Sequence, residues 1–246
     1  MKCGLTSVTF RKLDWRAVIQ VALDCGFDGI EWGGDIHVPP GETALAREVR
    51  QATVDTGLSV LSYGSYYRLG GSDAFQPVLD TALALQADTI RVWAGTKGSA
   101  RYRAKERARA VGDAQSIVDM AAAHGVTVAF EYHPNTLTDT AASALALLAE
   151  AGRGNVRSYW QPNPGLTHGE NLAELTAILP WLHHVHVHVY RRPSDGVSLP
   201  LEDVLSQWRA YMAKAKGSAR AAFIEFVKDD DPAQCARDAA HLKTLL

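Results

Sequence analysis

A single (β/α)8 TIM barrel over residues 1–246 is the fold that three observations in this sequence predict. Short apolar or β-branched runs alternate eight times with helical stretches, an order that implies a parallel sheet with right-handed crossovers. No linker-like segment interrupts the eight units, and 246 residues is an ordinary length for one closed barrel. The turn after the first strand reads Phe10-Arg11-Lys12-Leu13, with no GxGxxG and no phosphate loop, which weighs against a nucleotide-binding doubly wound sheet.

In chain order, strands are expected at 4–10, 29–32, 59–63, 89–94, 126–132, 156–161, 184–189 and 221–227. The intervening segments carry apolar residues near a 3.6 spacing. Trp15, Val18, Ile19 and Ala22 form one stripe in the first, and Leu201, Val204, Leu205, Trp208 and Tyr211 form another in the seventh. Asp14 and Ser198 stand where helix N-termini want a side-chain acceptor, and Pro200 is tolerated in a first turn. Gly26, Gly57, Gly125 and Gly152 follow helical stretches, where a left-handed cap ends the helix. Trp160, on the opposite face from Gln161, is expected to pack against helices.

The composition, 47% hydrophobic and 21% charged, suits a soluble chain with a large core. A formal charge of -2 provides no global footprint for nucleic acid or an anionic membrane. No apolar run approaches the roughly 20 residues of a membrane span, and the first ten residues lack a signal-peptide apolar stretch. Cys3, Cys25 and Cys235 are odd in number and far apart without a CxxC, so they read as reduced thiols of a cytosolic protein.

The chemistry is expected at the strand C-terminal ends. Val126 to Tyr132 reads as a buried strand that Pro134 stops from pairing further. Alternation puts Thr127, Ala129, Glu131 and His133 on one face. Strand two offers Glu31, strand three runs into Tyr63-Gly64-Ser65-Tyr66-Tyr67-Arg68, and strand four carries Arg91 and Trp93. Strand six offers Tyr159 and Gln161, strand seven His184, His186 and His188, and strand eight Glu225. A buried strand that carries Glu or His must offset their desolvation by pairing or by a metal. Glu131, Gln161, His186 and Glu225, from four consecutive strands, form a donor set suited to Mn²⁺ or Mg²⁺, with Co²⁺ or Zn²⁺ also accommodated. With no thiolate on offer, a structural zinc site is not expected. The alternative is core histidines bonded to backbone and Glu225 paired with Arg91 or Arg157. Trp93 and Trp32 are candidates to line a small polar substrate. Arg191, Arg192 and Lys97-Gly98-Ser99 suit either a substrate phosphate or solvent.

These motifs carry a resemblance. Gly29-Ile30-Glu31-Trp32-Gly33-Gly34-Asp35, Val128-Ala129-Phe130-Glu131-Tyr132-His133, His184-Val185-His186-Val187 and Phe223-Ile224-Glu225-Phe226 stand in the order and spacing of the xylose isomerase-like TIM barrels. The chain thus resembles, over nearly its whole length, the sugar phosphate isomerase/epimerase superfamily that includes AP endonuclease family 2. The resemblance implies one divalent ion held by Glu, Asp, His and Glu from strands five to eight. Glu131, His186 and Glu225 match, while Gln161 replaces the Asp and removes one negative charge from the site. The family's His three residues after that Asp falls at Pro164, and its Arg six residues after the metal His matches Arg192, with Arg191 beside it.

The expected function is a metal-dependent isomerase or epimerase of a small sugar or related hydroxy-carbonyl compound. Its metal would act as a Lewis acid stabilising an enediolate. Glu131 and Glu225 would exchange the proton beside the carbonyl, with His133, His188, Arg192, Glu31 and Trp93 contacting substrate. A lyase removing water from a sugar-derived keto compound would use the same ion and the same enolisation. Phosphodiester hydrolysis would need a cluster of ions, for which Asp35 and His37 are the only spare early ligands. A non-catalytic sugar-binding barrel would need neither metal nor proton exchange. The expected partner is a small molecule, with neither nucleic acid nor membrane, and the outer helices leave room for a second copy.

Overall fold

Residues 1–190 and 196–246 are described in the computed structural model of the chain. Eight parallel strands, β1 (Lys2–Thr6), β2 (Gly29–Gly33), β3 (Ser59–Arg68), β4 (Thr89–Trp93), β5 (Thr127–Glu131), β6 (Val156–Trp160), β7 (Leu182–Val187) and β8 (Ala221–Ile224), pair in sequence order. The barrel closes where β1 meets β8 in parallel register, Lys2 opposite Ala221 and Leu5 opposite Ile224. Helices α1 (Trp15–Asp24), α2 (Thr43–Asp55), α3 (Gln76–Leu85), α4 (Ala104–Ala122), α5 (Ala141–Ala151), α6 (His168–Ile178), α7 (Leu205–Ala215) and α8 (Pro232–Lys243) follow the strands in turn.

The helix signals act as their chemistry requires. Asp14 accepts from the Ala17 amide at the start of α1, and Thr140 accepts from Ser143 at the start of α5. Gly26, Gly57, Gly125 and Gly152 all adopt positive φ, between 60 and 86°, just past their helices. Ser198 is different. It forms an isolated antiparallel bridge with Tyr190, and the helical turn starts only at Leu201, after Pro200.

Every strand departs from its expected extent by at least one residue, β7 and β8 ending two and three residues early, and β1 and β3 depart most. β1 stops at Thr6, and Ser7–Phe10 wind into a 3₁₀ turn, because their hydroxyls take partners outside the ladder. The Ser7 hydroxyl accepts from the Gly33 amide, and the Thr9 hydroxyl accepts from Phe226. β3 runs past Tyr63 to Arg68, since Gly64 keeps pairing with both Gly33 of β2 and Arg91 of β4.

Packing divides into two cores. The larger lies between sheet and helices, where Trp160 is fully buried against Trp208 and Tyr211 of α7, as its outward parity required. Each such aromatic contributes roughly 1.5–3 kcal/mol through burial. The smaller fills the barrel with Ala129, Tyr159, Ala221 and Phe223. Gly4 makes room for that filling, since a Cβ there would fall 2.5 Å from Phe223 Cδ1. Cys3, Cys25 and Cys235 are all buried free thiols. Among the described residues, no helix is long and apolar enough to cross a membrane.

Candidate active site

A cavity of about 650 Å³ opens at the C-terminal ends of the strands. Its chemistry begins on β5, β7 and β8. Glu131 ends β5, His186 sits next to last on β7, and Glu225 directly follows β8. Each offers a ligand atom, and the three lie within 4.8 Å of one another. His186 Nδ1 is 3.4 Å from Glu225 Oε2 and 3.8 Å from Glu131 Oε1. Gln161, just past β6, lines the same cavity, and its buried Oε1 has no hydrogen-bond partner among the described residues. Two carboxylates, an imidazole nitrogen and an unclaimed amide oxygen fit a hard or borderline divalent ion. The described residues contain no other such cluster of three or more His, Cys, Asp or Glu.

The cluster rests on a second buried carboxylate. Glu31 of β2 receives the Ser62 and Tyr159 hydroxyls on Oε2, at 2.6 and 2.7 Å, and faces His186 Nε2 at 3.2 Å through Oε1. That contact turns His186 so that Nδ1 points toward Glu131 and Glu225. Arg91 of β4 completes the layer, with Nε 3.2 Å from Glu31 and Nη1 donating to Glu131 Oε2. Gly64 is needed here, because a Cβ would fall 2.9 Å from both Arg91 Nη2 and Glu31 Oε1.

These charges hold one another. Burial alone would raise the Glu31 carboxyl, but His186 and Arg91 outweigh it and bring it down to about 2. Burial would likewise lower His186, yet Glu225 and Glu31 raise it to about 10. Glu225 is held well below the carboxylate range; burial opposes this, and His186 and His188 overcome it. Burial pushes Tyr159 well above its usual range, so it stays a neutral donor to Glu31. A cation ligated by His186 therefore competes with a proton for Nδ1.

The expected site residues fall into distinct places. His133, His188 and Trp93 line the cavity. His133 Nδ1 lies 2.6 Å from the Pro134 carbonyl and so acts as donor, and Nε2 has no partner among the described residues. His188 Nδ1 is 3.4 Å from Glu225 Oε2. Glu31, expected as a substrate contact, is 1% exposed and is not a lining residue; its oxygens face Ser62, Tyr159, His186 and Arg91. Arg192 and Arg191 lie outside the described residues. Lys97 pairs with Glu106 at 2.8 Å, and Asp139 takes the Ser99 amide. The pairing of Glu225 with Arg91 or Arg157 is replaced by other partners, since Arg157 donates to the Gly154 and Val156 carbonyls. Asp35 pairs with Arg11, and His37 lies between the Ser7 hydroxyl and the Leu13 carbonyl.

Several lining residues were not singled out as site candidates from sequence. Arg11 follows the first 3₁₀ turn and donates to the Tyr66 hydroxyl at 2.6 Å. Tyr66 stacks on Trp93 with centroids 6.2 Å apart, and the Arg68 guanidinium lies 4.2 Å above the Trp93 ring. Parity along a longer β3 would have found Tyr66 and Arg68, which share the face of Ser62. Tyr190, Asn135 and Phe226 also line the cavity, the last two at positive φ just beyond β5 and β8.

Residues 19–239 match the family described as xylose isomerase-like TIM barrel. The chain is 28% identical over 265 aligned residues to a 3-dehydroshikimate dehydratase of Bacillus anthracis, covering 100% of this chain and 90% of that protein. The crystal structure of the probable 3-DHS dehydratase AsbF, involved in petrobactin synthesis from Bacillus anthracis, superposes with a TM-score of 0.84. That pair shares 22% identity over 99% of each chain. A D-psicose 3-epimerase crystallised in the presence of D-fructose gives a TM-score of 0.70 at 21% identity, over 99% of this chain and 98% of that one. A Mycobacterium smegmatis xylose isomerase-like TIM barrel protein in complex with magnesium gives 0.72 at 14% identity, over 99% and 96%. The three structural matches share this fold.

Proposed function

Because the chain belongs to the xylose isomerase-like TIM barrel family, we propose that it is a divalent-metal-dependent lyase that removes water from a small hydroxy-ketone. The observation that carries this reading is that Glu131 and Glu225 have different partners. Glu131 gives Oε2 to the buried Arg91 guanidinium, whereas Glu225, among the described residues, is faced by the imidazoles of His186 and His188. Epimerisation wants two free acid–base groups on opposite faces of one carbon. Loss of water wants one base and a route for that proton to the departing hydroxyl. The full-length similarity to a 3-dehydroshikimate dehydratase supports the same choice and makes 3-dehydroshikimate the first compound to try.

Glu131, Gln161, His186 and Glu225 would hold the ion, with Mn²⁺ or Mg²⁺ suited to the donors. When bound, the ion would polarise the substrate carbonyl and so acidify the neighbouring C–H. Glu225 takes that proton, and His188, 3.4 Å away, passes it to the hydroxyl two carbons from the carbonyl oxygen's carbon as water leaves. His133 accepts a substrate hydroxyl at Nε2, its ring held by the Pro134 carbonyl. Arg91 keeps Glu131 from swinging, and Trp93 lies against His133 with centroids 4.4 Å apart, offering a flat wall.

The test is to supply 3-dehydroshikimate with Mn²⁺ or Mg²⁺ and follow the aromatic product by ultraviolet absorbance. Metal-dependent conversion is expected, with Glu225→Gln slower by roughly 10²–10⁴-fold. No conversion by loaded protein would remove this substrate, and an unaffected Glu225→Gln variant would remove the assigned base. The isomerase or epimerase expected from sequence is the second reading. It is favoured by Glu131 Oε1, which still faces His186 at 3.8 Å within the cluster. Deuterium entering a ketose from D₂O, without loss of water, would select it.

A further inference from the structure

We infer that the substrate carries a carboxylate and that Arg68 is the residue that recognises it; this rests on the lyase reading above and names its substrate class. Among the described residues three arginines line the cavity, and two are already committed. Arg91 is 2% exposed and faces both Glu31 and Glu131. Arg11 is paired with Asp35 and donates to Tyr66. Arg68 has neither a side-chain hydrogen bond nor an ion pair among the described residues; its guanidinium is held over the Trp93 ring at 4.2 Å.

The carboxylates that line the cavity have other partners among the described residues. Asp230 pairs with Lys12 at 2.9 Å, and Glu225 is faced by His186 and His188. Trp93 adds a second unmatched donor, since its buried Nε1 has no acceptor among the described residues. A cation stacked on indole is oriented while its N–H edge stays open, an arrangement suited to a planar carboxylate.

The register places this cation relative to the ligand cluster. Arg68 pairs with Trp93, and Trp93 pairs with Glu131, so the two lie at one level two strands apart. Two strand spacings are roughly 10 Å. A small ring with its ketone and hydroxyl toward β5–β8 and a carboxylate toward β3 fits that separation. The Tyr66, Trp93 and His133 rings, with centroid separations of 6.2 and 4.4 Å, supply aromatic surface between the ends.

The test compares 3,4-dihydroxybenzoate, the aromatic acid left when 3-dehydroshikimate loses water, with catechol, which lacks only the carboxylate. Both are titrated calorimetrically into Mn²⁺-loaded protein. The wild type is expected to prefer the acid by roughly 10–100-fold, the value of a charge-assisted pair. Arg68→Met brings the ratio to near one, and Arg68→Lys restores part of it. For 3-dehydroshikimate the same change raises KM more than it lowers kcat. A full preference retained in Arg68→Met overturns the assignment to Arg68, and equal binding of both probes by the wild type overturns the carboxylate; either leaves the lyase reading standing. Binding of neither probe, with no turnover, brings down the lyase reading and this inference together.

Discussion

Strands β5 to β8 bring Glu131, Gln161, His186 and Glu225 to the mouth of the barrel, whereas Arg11, Tyr66, Arg68 and Trp93 come from β3, β4 and the turn after β1. One half offers electron-pair donors in search of a cation. The other offers guanidinium groups and aromatic faces, with Arg11 paired to Asp35 and Arg68 without a counter-ion among the described residues. The buried members need one another: Glu31, Glu131, His186, Glu225 and Arg91 are all buried, and uncompensated charge costs several kcal/mol when removed from water. Arg91 and Glu31 are the joint. They come from β4 and β2, yet their partners Glu131, Tyr159 and His186 lie on β5, β6 and β7. The difference teaches that the same strand-end position carries an electron-pair donor, a clamping guanidinium or a cation without a counter-ion among the described residues, according to which half of the mouth it faces.

Breaking the joint should have the largest effect. Arg91→Met leaves Glu31 and Glu131 without their shared cation, and the expected loss is about 3–5 kcal/mol of unfolding free energy. Urea denaturation measures it. A loss below 1 kcal/mol would show that the two halves do not depend on this contact.

The halves also meet at the opposite end of the barrel, where His183 of β7 lies 3.0 Å from the Thr89 hydroxyl of β4. Burial, with a contribution from Arg220, lowers His183 from 6.5 to about 4. The folded protein therefore binds fewer protons there than the unfolded chain. Its contribution is complete above about pH 6.5 and declines as pH falls toward 4, by an amount on the order of 3 kcal/mol. His183→Gln should make the acid limb of the stability curve shallower. Parallel curves for variant and wild type would sink the idea.

The smallest expected change sharpens the contrast between halves. Gln161→Asp adds a negative charge to the ligand side alone, and Mn²⁺ affinity should rise roughly tenfold. Unchanged affinity would mean that the unpartnered Oε1 does not reach the ion.

Much of this was legible in the chain. Alternation of strand and helix implied the closed barrel, because parallel strands need crossovers and these crossovers are right-handed. Parity on β5, β7 and β8 brought Glu131, His186 and Glu225 into one cluster, because a strand reverses side with every residue. Parity did not reveal depth. Glu31 shares the inward face but sits below the mouth, a position set by its register against Ser62 and Thr6. Nor did local pattern extend β3 through Gly64 to Arg68, since a glycine inside a strand reads as an end until both neighbouring strands are known to pair with it.

The sequence by itself determined which residues face inward and which chemical groups are available, since both follow from backbone geometry and side-chain type. Only the tertiary structure decided who pairs with whom. Arg91 takes Glu31 and Glu131 rather than Glu225, and Arg68 is left without a counter-ion among the described residues. Such choices turn on distances across the barrel, where buried charges interact strongly and a shift of one strand register exchanges the partners.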